Sequence, residues 1–125
     1  MKETLTPPGA PAPIGPYSPI VRVGSQWYFF SGQIALGPDG VLVGTTVAEQ
    51  TDQICRNIAA MLAAVGLSLD NVVKTTVFLR SMDSFAEMNA VYERYFSSSK
   101  PARSTVEVSR LPKDALVEIE LIAVG

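Results

Sequence analysis

The chain contains no histidine, and only one cysteine, among its 125 residues. The first absence removes every chemistry that turns on an imidazole, including a Ser-His-Asp or Cys-His relay and a histidine-ligated zinc site. Acid and base work must then fall to Glu, Asp, Lys, Tyr or ordered water. The second absence excludes an internal disulfide, and the lone Cys55 fits a reducing compartment. Charged residues make up only 18 % and sum to −2, so the basic excess that a dominant nucleic-acid partner leaves is missing. No apolar run reaches the ~20 residues of a membrane helix. The first 19 residues carry no basic start followed by an apolar stretch, so no secretory leader is expected there. The expectation is a soluble cytoplasmic protein with no membrane partner.

What is present is a globular balance. Apolar residues make up 47 %, and the length allows one domain over residues 1–125 to bury a core without disulfide or metal staples. The segment TPPGAPAPIGPYSP, residues 6–19, holds six prolines and reads as extended, so residues 1–16 are expected to form a Pro-rich arm. Val21–Val23 and Trp27–Ser31 read as strands around a Gly24-Ser25 turn. Thr46-Val47-Ala48-Glu49 is a capping box opening a helix whose apolar residues recur at Val47, Ile54, Ile58, Met61, Leu62 and Val65, with Gly66 as its stop. Asn71–Arg80, β-branched and alternating, reads as a strand. Ser84-Phe85-Ala86-Glu87 reads as a second capping box, for a helix carrying Phe85, Met88, Tyr92, Tyr95 and Phe96 and ending before Lys100-Pro101. Ser104–Ser109 and Leu116–Val124 complete the strands.

That order predicts an α+β fold in which one sheet carries both helices on one face. In the last strand Val117, Ile119, Leu121 and Ala123 point one way, and Leu116, Glu118, Glu120 and Ile122 the other. In the second strand both directions are apolar. The uncovered face would then be a wet apolar patch, which monomers rarely tolerate, so a homo-oligomer is expected.

Arg103 opens a strand just after Pro101 and shares its direction with Thr105 and Glu107. Two readings are open: an edge arginine paired with Glu107 or Glu120, or a fork of N–H donors gripping a carboxylate at two points. Glu118 and Glu120 fall on the face assigned to subunit contact, where a carboxylate is costly unless paired or used. Were the last two strands a plain hairpin, Arg103 would lie about four residues, or ~13 Å, from Glu118. Tyr17 is either a packing anchor or a pocket residue, Gly32 either a turn or a close backbone approach. Asn89 faces round its helix from the apolar stripe, and Cys55 reads as a small core residue.

Taken together, Ile14-Gly15-Pro16-Tyr17-Ser18, Ser31-Gly32-Gln33-Ile34, Val73–Phe78 (VKTTVF), Asn89-Ala90-Val91-Tyr92 and the run PARSTVEVSRLPKDALVEIELIAV from Pro101 to Val124 resemble, in order, the Rid (YjgF, reactive intermediate deaminase) family. The resemblance implies a chorismate-mutase-like α+β fold, one mixed sheet with two helices on one face. It implies a homotrimer, a barrel of sheets with sites in the clefts between subunits. The implied activity is hydrolysis of 2-imino acids and their enamine tautomers to 2-oxo acids and ammonia, without metal or other cofactor. By the same resemblance Arg103 holds the substrate carboxylate, Glu118 places and activates water or moves protons, and Tyr17 lines the pocket. Ser31, Gly32, Asn89 and Thr105 match further positions of the site. Many deaminase-type members carry cysteine where this chain has Thr105, so no thiol-dependent step is expected. Two other readings stay open: an RNA-cleaving inhibitor of translation, for which Arg103, Arg110 and Lys113 offer a small basic patch, and a non-catalytic carboxylate sensor or chaperone-like module.

Overall fold

Alternation along the strands and three-to-four spacing along the helices set which side chains meet. A computed structural model, describing Met1–Gly125, shows how the elements assemble. The elements are β1 (Lys2–Leu5), β2 (Ile20–Val23), β3 (Trp27–Gln33), α1 (Val47–Ala64), β4 (Val72–Leu79), α2 (Phe85–Phe96), β5 (Ala102–Glu107) and β6 (Val117–Val124). They form one mixed six-stranded sheet in the order β1-β2-β3-β6-β4-β5. Only β4 and β5 are parallel neighbours, and α2 makes the crossover that parallel strands require. β6, the last strand made, inserts antiparallel between β3 and β4.

Both helices cover one face. Val117, Ile119, Leu121 and Ala123 of β6 are buried beneath them, together with Tyr28 and Phe30 of β3 and Thr75, Val77 and Leu79 of β4. From α1 come Ile54, Cys55, Ile58, Met61 and Leu62, and from α2 come Met88, Tyr92 and Phe96. α1 begins as its sequence predicts: Thr46 Oγ1 accepts from Glu49 N while Glu49 Oε1 accepts from Thr46 N. Buried Gln50 braces the fold, donating to the Gly44 carbonyl and accepting from Leu116 N. The other sheet face is bare, with Trp27 48 % and Phe29 40 % exposed and Val106 of β5 exposed as well.

Three expectations are corrected. The Pro-rich arm contains a strand that the sequence pattern did not announce, since Lys2–Leu5 pairs antiparallel with β2 at the sheet edge. The prolines begin only after it, and Ala10 N turns back to the Pro7 carbonyl. The second capping box does not form. Ser84 makes no side-chain cap, and Glu87 Oε2 instead accepts from Ala48 N at the start of α1, tying the two helices together. Finally, β5 and β6 are not neighbours. β4 lies between them, and the strand expected at Ser104–Ser109 starts earlier, at Ala102, the residue after Pro101.

Candidate functional site

The predicted site residues fall into two groups, and the sheet register explains why. Arg103 pairs across β5–β4 with Thr75, and Thr105 with Val77. Thr75 and Val77 are buried beneath the helices, so Arg103 and Thr105 point to the helix-covered side. Glu118 pairs with Phe78 and Glu120 with Thr76, on the bare side. Cross-strand partners share a face. Arg103 and Glu118 of one chain therefore stand on opposite faces of the same sheet.

The first group is built round Arg103. Its Nη1 donates to Asn89 Oδ1 at 2.7 Å. The guanidinium lies over two rings of α2, with its carbon 4.7 Å from the Tyr92 centroid and 5.5 Å from that of Phe85. Tyr92 is held in turn by a 2.7 Å hydrogen bond between its hydroxyl and that of Thr75. No carboxylate pairs with Arg103: Glu107 accepts from Met82 N, and Glu120 is on the other face. The expectation of an edge ion pair fails, and Nε and Nη2 are left free. A cavity of about 400 Å³ opens here, lined by Asn89, Tyr92, Ser97, Lys100 and Arg103 among others. Thr105 Oγ1 is buried without a hydrogen-bond partner, a costly state for a hydroxyl.

The second group is built round Glu118. β3 bulges between Phe30 and Gln33, which brings Gly32 against the Glu118 carboxylate. A Cβ at Gly32 would stand 2.0 Å from Glu118 Oε2, so only glycine admits the carboxylate there. Ser31 anchors the proline arm: its hydroxyl donates to the Ser18 carbonyl at 2.7 Å and its N–H to that of Pro19. The arm so held carries Tyr17, half exposed, onto a cavity of about 430 Å³ that it lines with Ser31, Gly32, Glu118 and Glu120. Half-buried Glu118 has no cation and no hydrogen-bond donor. Burial raises its pKa above the ordinary carboxylate value, and the charge of Glu120 raises it further.

Sequence reasoning placed Tyr92 and Phe85 only in an apolar stripe. Their seven-residue spacing puts both on one side of α2, but the signal that this side meets Arg103 is the parallel pairing of β5 with β4, which has no local signature. Cys55 is buried and its thiol is pushed up to about 12, chiefly by burial, as befits a core residue. No group of three or more Asp, Glu and Cys side chains is placed to hold a metal ion, and no helix is long and apolar enough to cross a membrane.

The chain as a whole is matched in known proteins. The family model described as "Endoribonuclease L-PSP", that of the YjgF/Rid proteins, matches residues 8–125. The chain belongs to the Rid family. A RutC family protein of Pyrococcus horikoshii is 52 % identical over 98 % of this chain and 98 % of its own. The 2-iminobutanoate/2-iminopropanoate deaminase of Salmonella typhimurium is 45 % identical over 99 % of this chain and 98 % of its own. Among solved structures, the Rid family protein YyfA of Yersinia pestis superposes with a TM-score of 0.93 at 43 % identity, covering 100 % of both chains. The Rid family thus includes enzymes named as imine deaminases alongside proteins named for the family alone.

Proposed function

We propose that this Rid protein hydrolyses 2-imino acids to 2-oxo acids and ammonia, in clefts formed where chains meet in a homotrimer. The observation that carries the reading is a pair of charges without partners. Arg103 is half-buried and faces no carboxylate, and Glu118 is half-buried and faces no cation. A protonated 2-imino acid offers one complement to each, a carboxylate for the guanidinium fork and an iminium cation for the glutamate. Because the two residues occupy opposite faces of one sheet, a single substrate reaches both only when a second chain supplies one of them. The bare apolar face provides the surface for that contact. The 45 % identical imine deaminase supports the same substrate class.

In this mechanism Arg103 takes the carboxylate through Nε and Nη2, with Thr105 Oγ1 on the same side of the strand. Tyr17 and the Gly32 backbone wall the reacting carbon. Ionised Glu118 accepts a proton as water adds to C2, and the new C–O bond converts the iminium to an aminoalcohol. The proton then passes to nitrogen. The C–N bond breaks as the hydroxyl gives its proton to Glu118 and becomes the carbonyl of the 2-oxo acid. The departing ammonia takes that proton as ammonium, leaving Glu118 ionised. A pKa raised by burial suits a group that must both accept and return a proton. The iminium carbon is already electrophilic, so orientation and placement of water supply much of the acceleration.

The RNA-cleaving reading has less support. Arg110 is engaged by Asp114 at 3.7 Å, and Arg103 is stacked on Phe85 and Tyr92 of α2. The deciding assay generates imines in situ with an amino-acid oxidase and follows 2-oxo acid or ammonia release. The chain accelerates release, and Arg103→Ala removes the effect while the oligomer survives. No acceleration across several amino acids, from an assembled sample, overturns the proposal in favour of a carboxylate sensor or another non-catalytic role.

A further inference from the structure

We propose that Tyr92 is a positioning residue, a fixed aromatic floor that holds the Arg103 guanidinium ready for a carboxylate. The inference rests on the reading that Arg103 binds the substrate carboxylate, and it assigns a task to a residue that otherwise passes for core. Tyr92 is only 7 % exposed. It stacks on Phe96 with ring centroids 4.4 Å apart. Its hydroxyl is tied at 2.7 Å to Thr75 Oγ1, and Thr75 is the β4 residue directly beside Arg103 in the parallel register. The ring is therefore held on one face by Phe96 and at its tip by Thr75, on the strand next to the one that carries the arginine. Over its free face lies the guanidinium, 4.7 Å away, with Phe85 flanking at 5.5 Å.

An arginine free in solvent must be ordered when it grips a ligand, and immobilising such a side chain weakens binding several-fold. Here that ordering is done on folding. The ring faces attract the cation and fix the plane of the fork. Asn89 Oδ1 takes one Nη1 hydrogen, which fixes rotation within that plane. The edge formed by Nε and Nη2 remains for a two-point contact. Asn89, expected to touch substrate, thereby acts with Tyr92 through Arg103.

The test compares wild type, Tyr92→Phe and Tyr92→Leu as assembled proteins. It measures the dissociation constant for 2-oxobutanoate by NMR titration, KM and kcat with imines generated in situ, and the Arg103 Nε–H resonance. Tyr92→Leu should weaken 2-oxobutanoate and raise KM about fivefold, with kcat within about twofold, because an unfixed arginine must be ordered on binding. Its Arg103 Nε–H should lose the ring-current shift. Tyr92→Phe keeps the ring but loses the Thr75 bond. It should melt earlier than wild type yet bind and turn over within about twofold of it, which a merely structural role does not predict. Tyr92→Leu that binds as wild type does, with Arg103 Nε–H unmoved, overturns the inference. Should that variant fail to assemble, Tyr92→Met carries the same comparison, with unchanged binding and an unmoved resonance again overturning it. Wild type that binds 2-oxobutanoate but releases no ammonia refutes the catalytic reading and leaves this one to be judged on binding. Wild type that binds no 2-oxo acid refutes both.

Discussion

A hydrogen atom at Gly32 gives Glu118 its place. Any side chain there meets the carboxylate: an added Cβ lies 2.0 Å from Oε2 and 2.8 Å from Cδ. The obstructed atoms are the end of a flexible side chain, so the backbone can stay while the glutamate swings away. Gly32→Ala should fold with a stability change of only about 1 kcal/mol yet lose about 100-fold in kcat, since small displacements of a reacting group cost that much. Melting curves and steady-state rates on one sample test it. Glu118 also predicts a pH signature. Its folded-state pKa is raised above 4.5, so the folded chain holds a proton that the unfolded chain has released. Stability therefore falls as pH rises from the unfolded value through the folded one, and the loss is absent below it. Glu118→Gln abolishes that slope. Urea denaturation from about pH 4 to 8 should show the variant more stable than wild type at neutrality, with the gap closing in acid. A gap that is constant with pH would refute the buried-carboxylate account.

At the scale of elements, the two helices are joined by polar contacts that their apolar stripes do not announce. Tyr95 of α2 donates to Asp52 Oδ1 of α1, and Arg56 donates to the other carboxylate oxygen. The Tyr95 bond and then the arginine hold Asp52 below its ordinary pKa. Burial and then the Asp52 bond push the Tyr95 phenol up to about 12. Tyr95→Phe breaks the one direct bond from α2 to this acid. It should cost about 1–2 kcal/mol in equilibrium unfolding, the range for a hydrogen bond to a charged partner that retains another, while KM and kcat stay as in wild type. Glu87 shows the same kind of surprise. Its spacing from Ser84 fits a capping box, but the carboxylate reaches Ala48 N across the helix pair. Local pattern placed the acid near a helix N-terminus, and packing decided which one.

For the whole molecule, the decisive fact is that the proposed acid–base residue and the proposed anion grip lie on opposite faces of one sheet. A site that unites them belongs to an assembly, and its inactive variants should complement each other. Arg103→Ala and Glu118→Gln chains, each inactive alone, should regain activity when unfolded and reassembled together. In randomly mixed trimers about a quarter of the sites draw an intact Arg103 from one chain and an intact Glu118 from its neighbour. Sedimentation should give three times the 13.4 kDa chain mass. Absence of complementation in a mixed trimer would place both residues of each site in one chain, contrary to the register.

The sequence by itself determined the elements and their buried sides. Periods of two and of three to four residues put Val117, Ile119, Leu121 and Ala123 under the helices, whereas both directions of the second strand were apolar and only packing left Trp27 and Phe29 outside. It also narrowed the chemistry, because a chain without histidine has few proton carriers and Glu118 stands among them. The sequence alone did not say which strands are neighbours. β5 is followed at once by β6, yet β4 separates them, and that insertion sends Arg103 and Glu118 to opposite faces. Pairing depends on burying surface between segments far apart in the chain, so it leaves no local pattern to read. The same long-range pairing made Tyr92 the floor beneath Arg103, and the bulge in β3 made Gly32 the space that Glu118 occupies.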